Sequence, residues 1–128
     1  MPDTDFSERL LAVRVVAMPE NTNAAGDIFG GWLLSQVDLA GSTLAVKVAM
    51  GRVATVAINH FRFIKPVYVG DLVSCWASVE RVGNTSITVR IEVDAERMRD
   101  SHQCIRVAEA AFTYVALDTE GRPRPVLP

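Results

Sequence analysis

The chain has 128 residues, of which 49% are hydrophobic and 22% are charged, a composition typical of one folded domain rather than a disordered protein. The formal net charge of -2 and the lack of a clustered basic helix argue against a nucleic-acid binder. No apolar run reaches the roughly 18 residues needed to span a membrane, and the polar, acidic N-terminus is unlike a signal peptide. We therefore expect a cytoplasmic protein whose residues 1–128 form a single domain, with Cys75 and Cys104 as buried free thiols.

The first part of the chain predicts a strand, a loop and a long helix. Leu10–Val16 is apolar and β-branched, as strands are. Residues 18–31 carry a proline, two asparagines and three glycines, which indicates a long ordered loop, and Ile28 and Phe29 are expected to pin it to the core. Residues 32 to about 50 contain no proline and are rich in Leu, Ala and Val, which predicts a helix.

This helix is predicted to be apolar on two sides when it is projected at about 100° per residue. One stripe consists of Leu33, Leu34, Val37, Leu44 and Val48, and the other of Trp32, Leu39 and Val46. Between them lies an arc of small and polar residues, made of Gly31, Ser35, Asp38, Ser42, Ala45 and Ala49. A helix with two apolar sides is expected to be buried with other elements wrapped around it.

The rest of the chain predicts four long strands connected mostly by short turns. The strands are expected at residues 53–64, 72–82, 85–95 and 104–117, with turns at 69–71 and 83–84, a surface connection at 96–102 and a proline-rich tail that leaves the sheet. In the third of these strands Ile87, Val89, Ile91 and Val93 alternate with polar residues and are expected to face inward. Strands connected by hairpins form an antiparallel sheet. The prediction is therefore an α+β hot-dog fold, in which a curved, antiparallel, five-stranded sheet wraps a long central helix.

The start of the helix is the first candidate for chemistry. A helix that opens with Gly30 and Gly31 presents free N–H groups and the positive end of its dipole, which suits an oxyanion or a phosphate. Asp38, about two turns further on, could serve the same site as a general base or nucleophile. The alternatives are a solvated aspartate and a glycine pair chosen for positive φ or tight packing.

Other polar residues are candidates for supporting roles. Asn23 could contact the substrate or a water molecule, although Asx turns and helix capping would also explain Asn23, Gly26 and Asp27. Ser42 and Thr55 could hold an attacking water, with ordinary structural hydroxyl groups as the alternative.

Basic residues and a histidine complete the set of candidates. Arg62 and Lys65, and after them Arg52 and Arg90, could bind phosphate groups, with solvated surface charges as the alternative in each case. His60 could act as the base of a dehydratase.

Six segments resemble the YciA-like hot-dog acyl-CoA thioesterases, and together they cover nearly the whole chain. They are NTNAAGDIFGGWLLSQVDLAG at residues 21–41, GRVATVA at 51–57, FIKP at 63–66, VGD at 69–71, VGNTSI at 82–87 and EAAFTYVA at 109–116. The resemblance implies hydrolysis of acyl-CoA to a fatty acid and CoA, without a metal or organic cofactor. It implies that Asp38 is the general base or nucleophile and that the Gly31 N–H binds the thioester oxygen.

The resemblance also implies an assembly. Active sites of this family lie between two protomers whose sheets join edge to edge, and the dimers often associate further, as trimers of dimers. Neither nucleic acid nor a membrane is an expected partner. Where an acidic residue is expected on the strand after the helix, this chain has Asn59, which leaves the acyl-chain preference open.

Two other functions remain possible at this stage. One is a non-catalytic hot-dog protein that binds acyl-CoA or lipid. The other is a dehydratase or hydratase of acyl thioesters, but hot-dog dehydratases place their histidine before the helix or near its start, where this chain has none. In each case the acyl chain is expected along the apolar seam between helix and sheet.

Overall fold

The computed structural model describes residues 8–97 and 103–127. One long helix packs against one face of an antiparallel sheet, and the described strands follow the order β1-β3-β4-β5-β2. The strands are β1 (Leu10–Val16), β2 (Val53–Phe63), β3 (Leu72–Val82), β4 (Ser86–Arg97) and β5 (Gln103–Ala116), and the helix is α1 (Gly30–Ala49), preceded by a 3-10 turn at Pro19–Asn21. No helix in the described ranges is long and apolar enough to cross a membrane.

This architecture confirms the predicted hot-dog fold. The helix contacts every strand of the sheet, and β1 and β3 have the predicted bounds. The inward-facing residues predicted for β4 are fully buried: Ile87, Val89, Ile91 and Val93. The helix begins two residues earlier than predicted, at Gly30, and ends where Met50 adopts a left-handed conformation with φ 53°.

One apolar side of α1 faces the sheet and the other faces outward. The buried helix residues are Leu33, Val37, Ala40, Gly41, Leu44, Ala45 and Ala49. Ala45 and Ala49 were expected in the open arc of small residues, and they lie in the core instead. Leu39 and Val46 remain 55% and 43% exposed. The prediction of a helix buried on both sides is therefore wrong for the single chain, because one curved sheet covers only one side of it.

The C-terminal tail returns to the sheet, which corrects the prediction that it leaves. Leu117 forms a bridge with Pro123, the Arg124 N–H donates to the Ala116 carbonyl at 2.9 Å, and Val126 is only 3% exposed. A proline removes only its own N–H from a ladder, so the residues between the prolines still pair.

Two further expectations change at the ends of β4 and β5. Glu96 and Arg97 belong to β4 rather than to a surface connection, and residues 98–102 lie outside the described residues. Cys75 is a buried free thiol as expected, whereas Cys104 is a free thiol that is exposed. Cys104 lies one residue from the start of β5, opposite Glu96, at the end of the sheet where burial is incomplete.

Strand β2 forms one edge of the sheet. It pairs with β5 along one side, and no other described strand pairs with it. Its exposed side chains include the apolar residues Val56, Ile58 and Phe63. A long, apolar, unpaired edge invites pairing with another strand, so this edge is a surface on which the sheet can continue into a second chain.

Candidate active site

Asp38 lies half-buried on α1, where its side chain accepts hydrogen bonds from hydroxyl groups on two strands. Thr55 on β2 donates a hydrogen bond to Asp38 Oδ1 at 2.8 Å. Tyr114 on β5 lies 3.1 Å from the same oxygen and 3.1 Å from the Asp38 carbonyl oxygen, so its hydroxyl donates to this pair of acceptors. The structure therefore brings Asp38 and Thr55 together and adds Tyr114.

Sequence reasoning missed Tyr114, although a signal for it existed. Phe112 and Tyr114 are two residues apart in an apolar strand, so they face the same side of the sheet, and both are buried there. A buried tyrosine normally needs a partner for its hydroxyl group. The only candidate carboxylate on the facing helix was Asp38.

The phenol of Tyr114 is a hydrogen-bond donor over the whole working pH range. Burial is the largest influence that raises the pKa of Tyr114, and the negative charge of Asp38 and the hydrogen bond to it raise the pKa further. The hydroxyl group therefore stays protonated, and the carboxylate is the group beside it that can accept a proton.

Gly30 and Gly31 form the first turn of α1. Neither has positive φ, so packing explains the glycines: a Cβ on Gly30 would lie 3.5 Å from the Phe63 ring, and one on Gly31 would lie 2.8 Å from the Phe29 ring. Their N–H groups have no acceptor within the helix, because the first four N–H groups of a helix lack an i−4 carbonyl. Ile28 packs against the core as expected, but Phe29 is exposed and does not pin the loop.

Asn23 shapes the loop before the helix. Its side-chain oxygen accepts hydrogen bonds from the backbone N–H groups of Ala25 at 3.0 Å and Asp27 at 3.2 Å. Gly26, within the same turn, has φ 87°, a conformation that favours glycine. The side-chain oxygen of Asn23 is thus engaged in an Asx turn.

Ser42 and Asn59 make contacts away from the Asp38 carboxylate. The Ser42 hydroxyl donates to the Leu39 carbonyl of its own helix at 3.0 Å. Asn59 accepts a hydrogen bond from Thr113 at 2.7 Å. Because Thr113 lies between two residues that face the helix, its side chain points to the outer face of the sheet, and Asn59 is therefore held on that outer face.

A cavity of about 310 Å³ lies beside the start of α1, and Gly30, Phe63 and Lys65 are among the residues that line it. Arg62 and Lys65 are exposed, and neither forms a salt bridge with another residue of the described ranges. Arg90, in contrast, lies 3.6 Å from Glu92 and has a countercharge. Among the described residues, the lack of a countercharge favours Arg62 and Lys65 over Arg90 as phosphate-binding candidates.

A second cavity, of about 800 Å³, lies at the opposite end of α1. Arg52 is one of its lining residues, together with Met50 and Asp118. It contains neither the candidate carboxylate nor the glycine pair. It is therefore separate from the candidate active site.

Gly31 and Asp38 are seven residues apart on one helix. At about 1.5 Å of rise per residue their backbones are separated by about 10 Å. The two groups predicted to serve one site are therefore not in direct contact along the helix.

Comparison with known proteins agrees with the fold and the motifs. The family model of the thioesterase superfamily matches residues 25–102. The acyl-CoA thioester hydrolase YciA of Salmonella typhimurium is 48% identical over 91% of this chain and 89% of its own. Among solved structures, a hexameric thioesterase from Yersinia pestis is 50% identical with a TM-score of 0.86, over 91% of this chain and 93% of its own.

A more distant structure adds a bound ligand. An acyl-CoA hydrolase from Staphylococcus aureus, solved in complex with butyryl coenzyme A and coenzyme A, is 28% identical with a TM-score of 0.85. The match covers 97% of this chain and 75% of that one. The chain therefore belongs to the thioesterase superfamily, as a YciA-like member with the hot-dog fold.

Proposed function

We propose that the protein hydrolyses acyl-CoA thioesters to a free carboxylic acid and CoA, with Asp38 as the residue that activates water. One observation carries this proposal: two hydroxyl groups hold Oδ1 of a half-buried carboxylate. No residue in the described part of the chain donates a hydrogen bond to Oδ2, which is therefore available to a water molecule. The 48% identity to an acyl-CoA thioester hydrolase supports the substrate class.

The reaction uses a carboxylate, a water molecule and an N–H donor. Asp38 accepts a proton from the water molecule as the water oxygen attacks the thioester carbon. The carbonyl oxygen becomes negatively charged and accepts a hydrogen bond from a Gly31 N–H at the positive end of a helix dipole. The C–S bond then breaks, and the CoA thiolate takes up the proton. Direct attack by Asp38, which forms a mixed anhydride that water then hydrolyses, is the alternative route. Neither route requires a cofactor.

The distance along α1 supports a site built from two protomers. A reacting carbon must lie about 3 Å from the attacking oxygen, and the oxyanion must lie about 3 Å from its donor. The free N–H groups at the start of a helix point along the helix axis, away from the residues that follow, so the Gly31 N–H is directed away from Asp38 of the same chain, about 10 Å further along α1. Asp38 of one protomer is therefore proposed to act with Gly31 of the partner subunit.

Strand β2 supports a dimer formed edge to edge. Asp38 is hydrogen-bonded to Thr55 on this edge strand, so a second chain that pairs with β2 comes close to the carboxylate. The exposed Val56, Ile58 and Leu39 would be covered by such a partner. Hexameric relatives from Yersinia pestis and Campylobacter jejuni support further assembly as a trimer of dimers.

The cytoplasm is the proposed location.

The seam between helix and sheet is proposed to receive the acyl chain near β2. Elsewhere it is filled by fully buried side chains, of which Val37 and Leu44 are examples. The phosphates of CoA are proposed to bind Lys65, which lines the cavity beside the helix start, and the exposed Arg62 near it in the chain. The acyl pocket then opens between protomers, and its length depends on residues of both.

A panel of acyl-CoAs tests the proposal when free thiol is measured for the wild type and for Asp38→Asn. The asparagine keeps the shape of the side chain and removes the base, so we expect a loss of about a hundredfold or more in kcat. Circular dichroism and gel filtration check that the variant stays folded and assembled. Saturable binding of acyl-CoA by the wild type without turnover would identify a binding protein instead, and an unchanged rate in Asp38→Asn would reject the mechanism.

His60 provides the test for a dehydratase. It is exposed on β2, five residues from Thr55, which corresponds to about 16 Å along a strand. It is therefore too far away to act beside the carboxylate that Thr55 holds. We expect no hydration of enoyl-CoA by the wild type, and a measurable rate that His60→Gln abolishes would favour the dehydratase.

A further inference from the structure

Tyr114 has an unusual position for a residue of the core. It is fully buried on β5, and its ring packs against Phe112 with centroids 6.4 Å apart. Its hydroxyl group lies 3.1 Å from both the carboxylate and the carbonyl oxygen of Asp38. One hydroxyl proton is shared between these two acceptors, so the phenol is tied to the backbone and to the side chain of the same residue.

Gly41 makes this position possible. It is a buried residue in the interior of α1, three residues after Asp38. A Cβ at Gly41 would overlap the Tyr114 hydroxyl oxygen and lie 2.9 Å from Cζ of the ring. A glycine in a helix interior is about 1 kcal/mol less favourable than alanine, and here its missing side chain leaves the space that the phenol occupies.

We infer that Tyr114, admitted by Gly41, is a positioning residue that sets the orientation of the Asp38 carboxylate for thioester hydrolysis. This inference rests on the proposed function. Two donors, Thr55 from β2 and Tyr114 from β5, meet on Oδ1 and fix the rotation of the carboxylate. Oδ2, to which no described residue donates a hydrogen bond, is left for the water or the thioester carbon.

The Tyr114 hydroxyl group remains a hydrogen-bond donor to the carboxylate. The hydrogen-bond partners of the carboxylate among the described residues are the Thr55 and Tyr114 hydroxyl groups, and Tyr114 is the only one of these that titrates. Since burial and the charge of Asp38 raise the pKa of Tyr114, it remains a donor while the carboxylate reacts.

Tyr114→Phe tests the inference because it removes one oxygen atom and keeps the ring. We expect kcat to fall by about ten- to a hundredfold while KM changes by less than about twofold, since the lost contact orients the reacting group and does not touch the substrate. Tyr68→Phe is the matched control: it removes a hydroxyl group from an exposed tyrosine whose ring contacts Arg97, and both parameters should stay unchanged.

A double-mutant cycle separates positioning from a structural role. When Asp38→Asn has already removed the base, Tyr114→Phe should cause no further loss of the residual rate, whereas a purely structural effect would reduce it again. Gly41→Ala, which keeps the tyrosine and displaces its hydroxyl group, should reproduce the loss of kcat seen in Tyr114→Phe.

The outcomes also distinguish this inference from the proposed function. If the wild type hydrolyses acyl-CoA, Asp38→Asn is inactive and folded Tyr114→Phe keeps its kcat, the positioning role is overturned and the function stands. If Asp38→Asn is fully active, the proposed role of Asp38 fails and the positioning role fails with it; if the wild type binds acyl-CoA without turnover, the proposed function itself fails.

Discussion

Mixed assemblies of two inactive variants test directly whether each active site contains residues from two protomers. Gly31→Pro removes the proposed oxyanion donor and leaves α1 intact, because the second residue of a helix has no acceptor for its N–H within the helix. We expect a loss of about a hundredfold in kcat, the size seen when one oxyanion donor is removed. Gly31→Ala is the control: it keeps the N–H but meets the exposed ring of Phe29 in the same way, so only the proline should be inactive.

The expected recovery follows from the separation of Gly31 and Asp38 along α1. If one protomer supplies Asp38 and its partner supplies Gly31, a dimer of Gly31→Pro with Asp38→Asn has one intact site and one doubly defective site. Random reassociation of equal amounts puts about half of all dimers in this mixed form, so about a quarter of the wild-type activity should return. The assembly of three dimers into a hexamer does not alter this fraction, because each dimer contributes its own two sites.

The assay is the release of CoA thiol after the two variants are unfolded together and refolded. Wild type mixed with an equal amount of Asp38→Asn should show about half the activity of the same total amount of wild type, whichever chain supplies the donor, and this control shows that mixing itself does no damage. Activity in the Gly31→Pro and Asp38→Asn mixture that stays at the level of the separate variants would refute the two-protomer site. It would mean that Gly31 and Asp38 of the same chain act together despite the roughly 10 Å between their backbones.

Three smaller changes are expected to act locally. Thr55→Val, which removes the 2.8 Å hydrogen bond to Asp38, should lower kcat by about tenfold or less, whereas Thr55→Ser should retain it; equal rates for both variants would contradict the role of this hydroxyl. Asp71→Asn should lower the free energy of unfolding by about 3 kcal/mol, measured by urea denaturation, because it leaves the largely buried guanidinium of Arg97 without its countercharge. Burial raises the pKa of Cys75 to about 12, so a thiol reagent at pH 8 should label exposed Cys104 alone in the native protein and both thiols after unfolding.

Local patterns in the sequence were sufficient to predict the sheet. The strict alternation in β4 places Ile87, Val89, Ile91 and Val93 on one face, and a shift of one residue would expose all four. The turn at residues 69–71 and the glycine at 83 set the ends of β3. These signals depend on residues that lie only two to four positions apart, so they can be detected in the sequence alone.

The errors arose where distant segments meet. Leu39 and Val46 are apolar, and a helical projection cannot show whether the sheet of the same chain or another chain covers them. The tail was expected to leave the sheet because of its prolines, yet Val126 is buried against residues that lie far away along the chain. In both cases burial depends on tertiary contacts rather than on local preference.

The same limit applies to the candidate site. Asp38 and the glycine pair were identified from a single helical segment, where spacing alone relates them. Tyr114 is 76 residues away from Asp38, and only the packing of β5 against α1 brings the two together. Its position next to Gly41 was likewise not predictable from the helix, because the reason for the glycine lies on another strand.

Three departures from the rules of a stable core meet at one carboxylate. A glycine lies in the middle of a helix, a tyrosine hydroxyl group lies inside the core, and an aspartate lies half-buried among apolar neighbours; each is unfavourable when considered alone. Their contacts explain each of them, since Gly41 leaves space for Tyr114 and the Tyr114 hydroxyl group donates a hydrogen bond to Asp38. Sequences usually violate such rules where a site requires it. A core built for stability alone would place alanine, phenylalanine and an apolar residue at these three positions, so the polar cluster is best explained by the chemistry of the carboxylate that it orients.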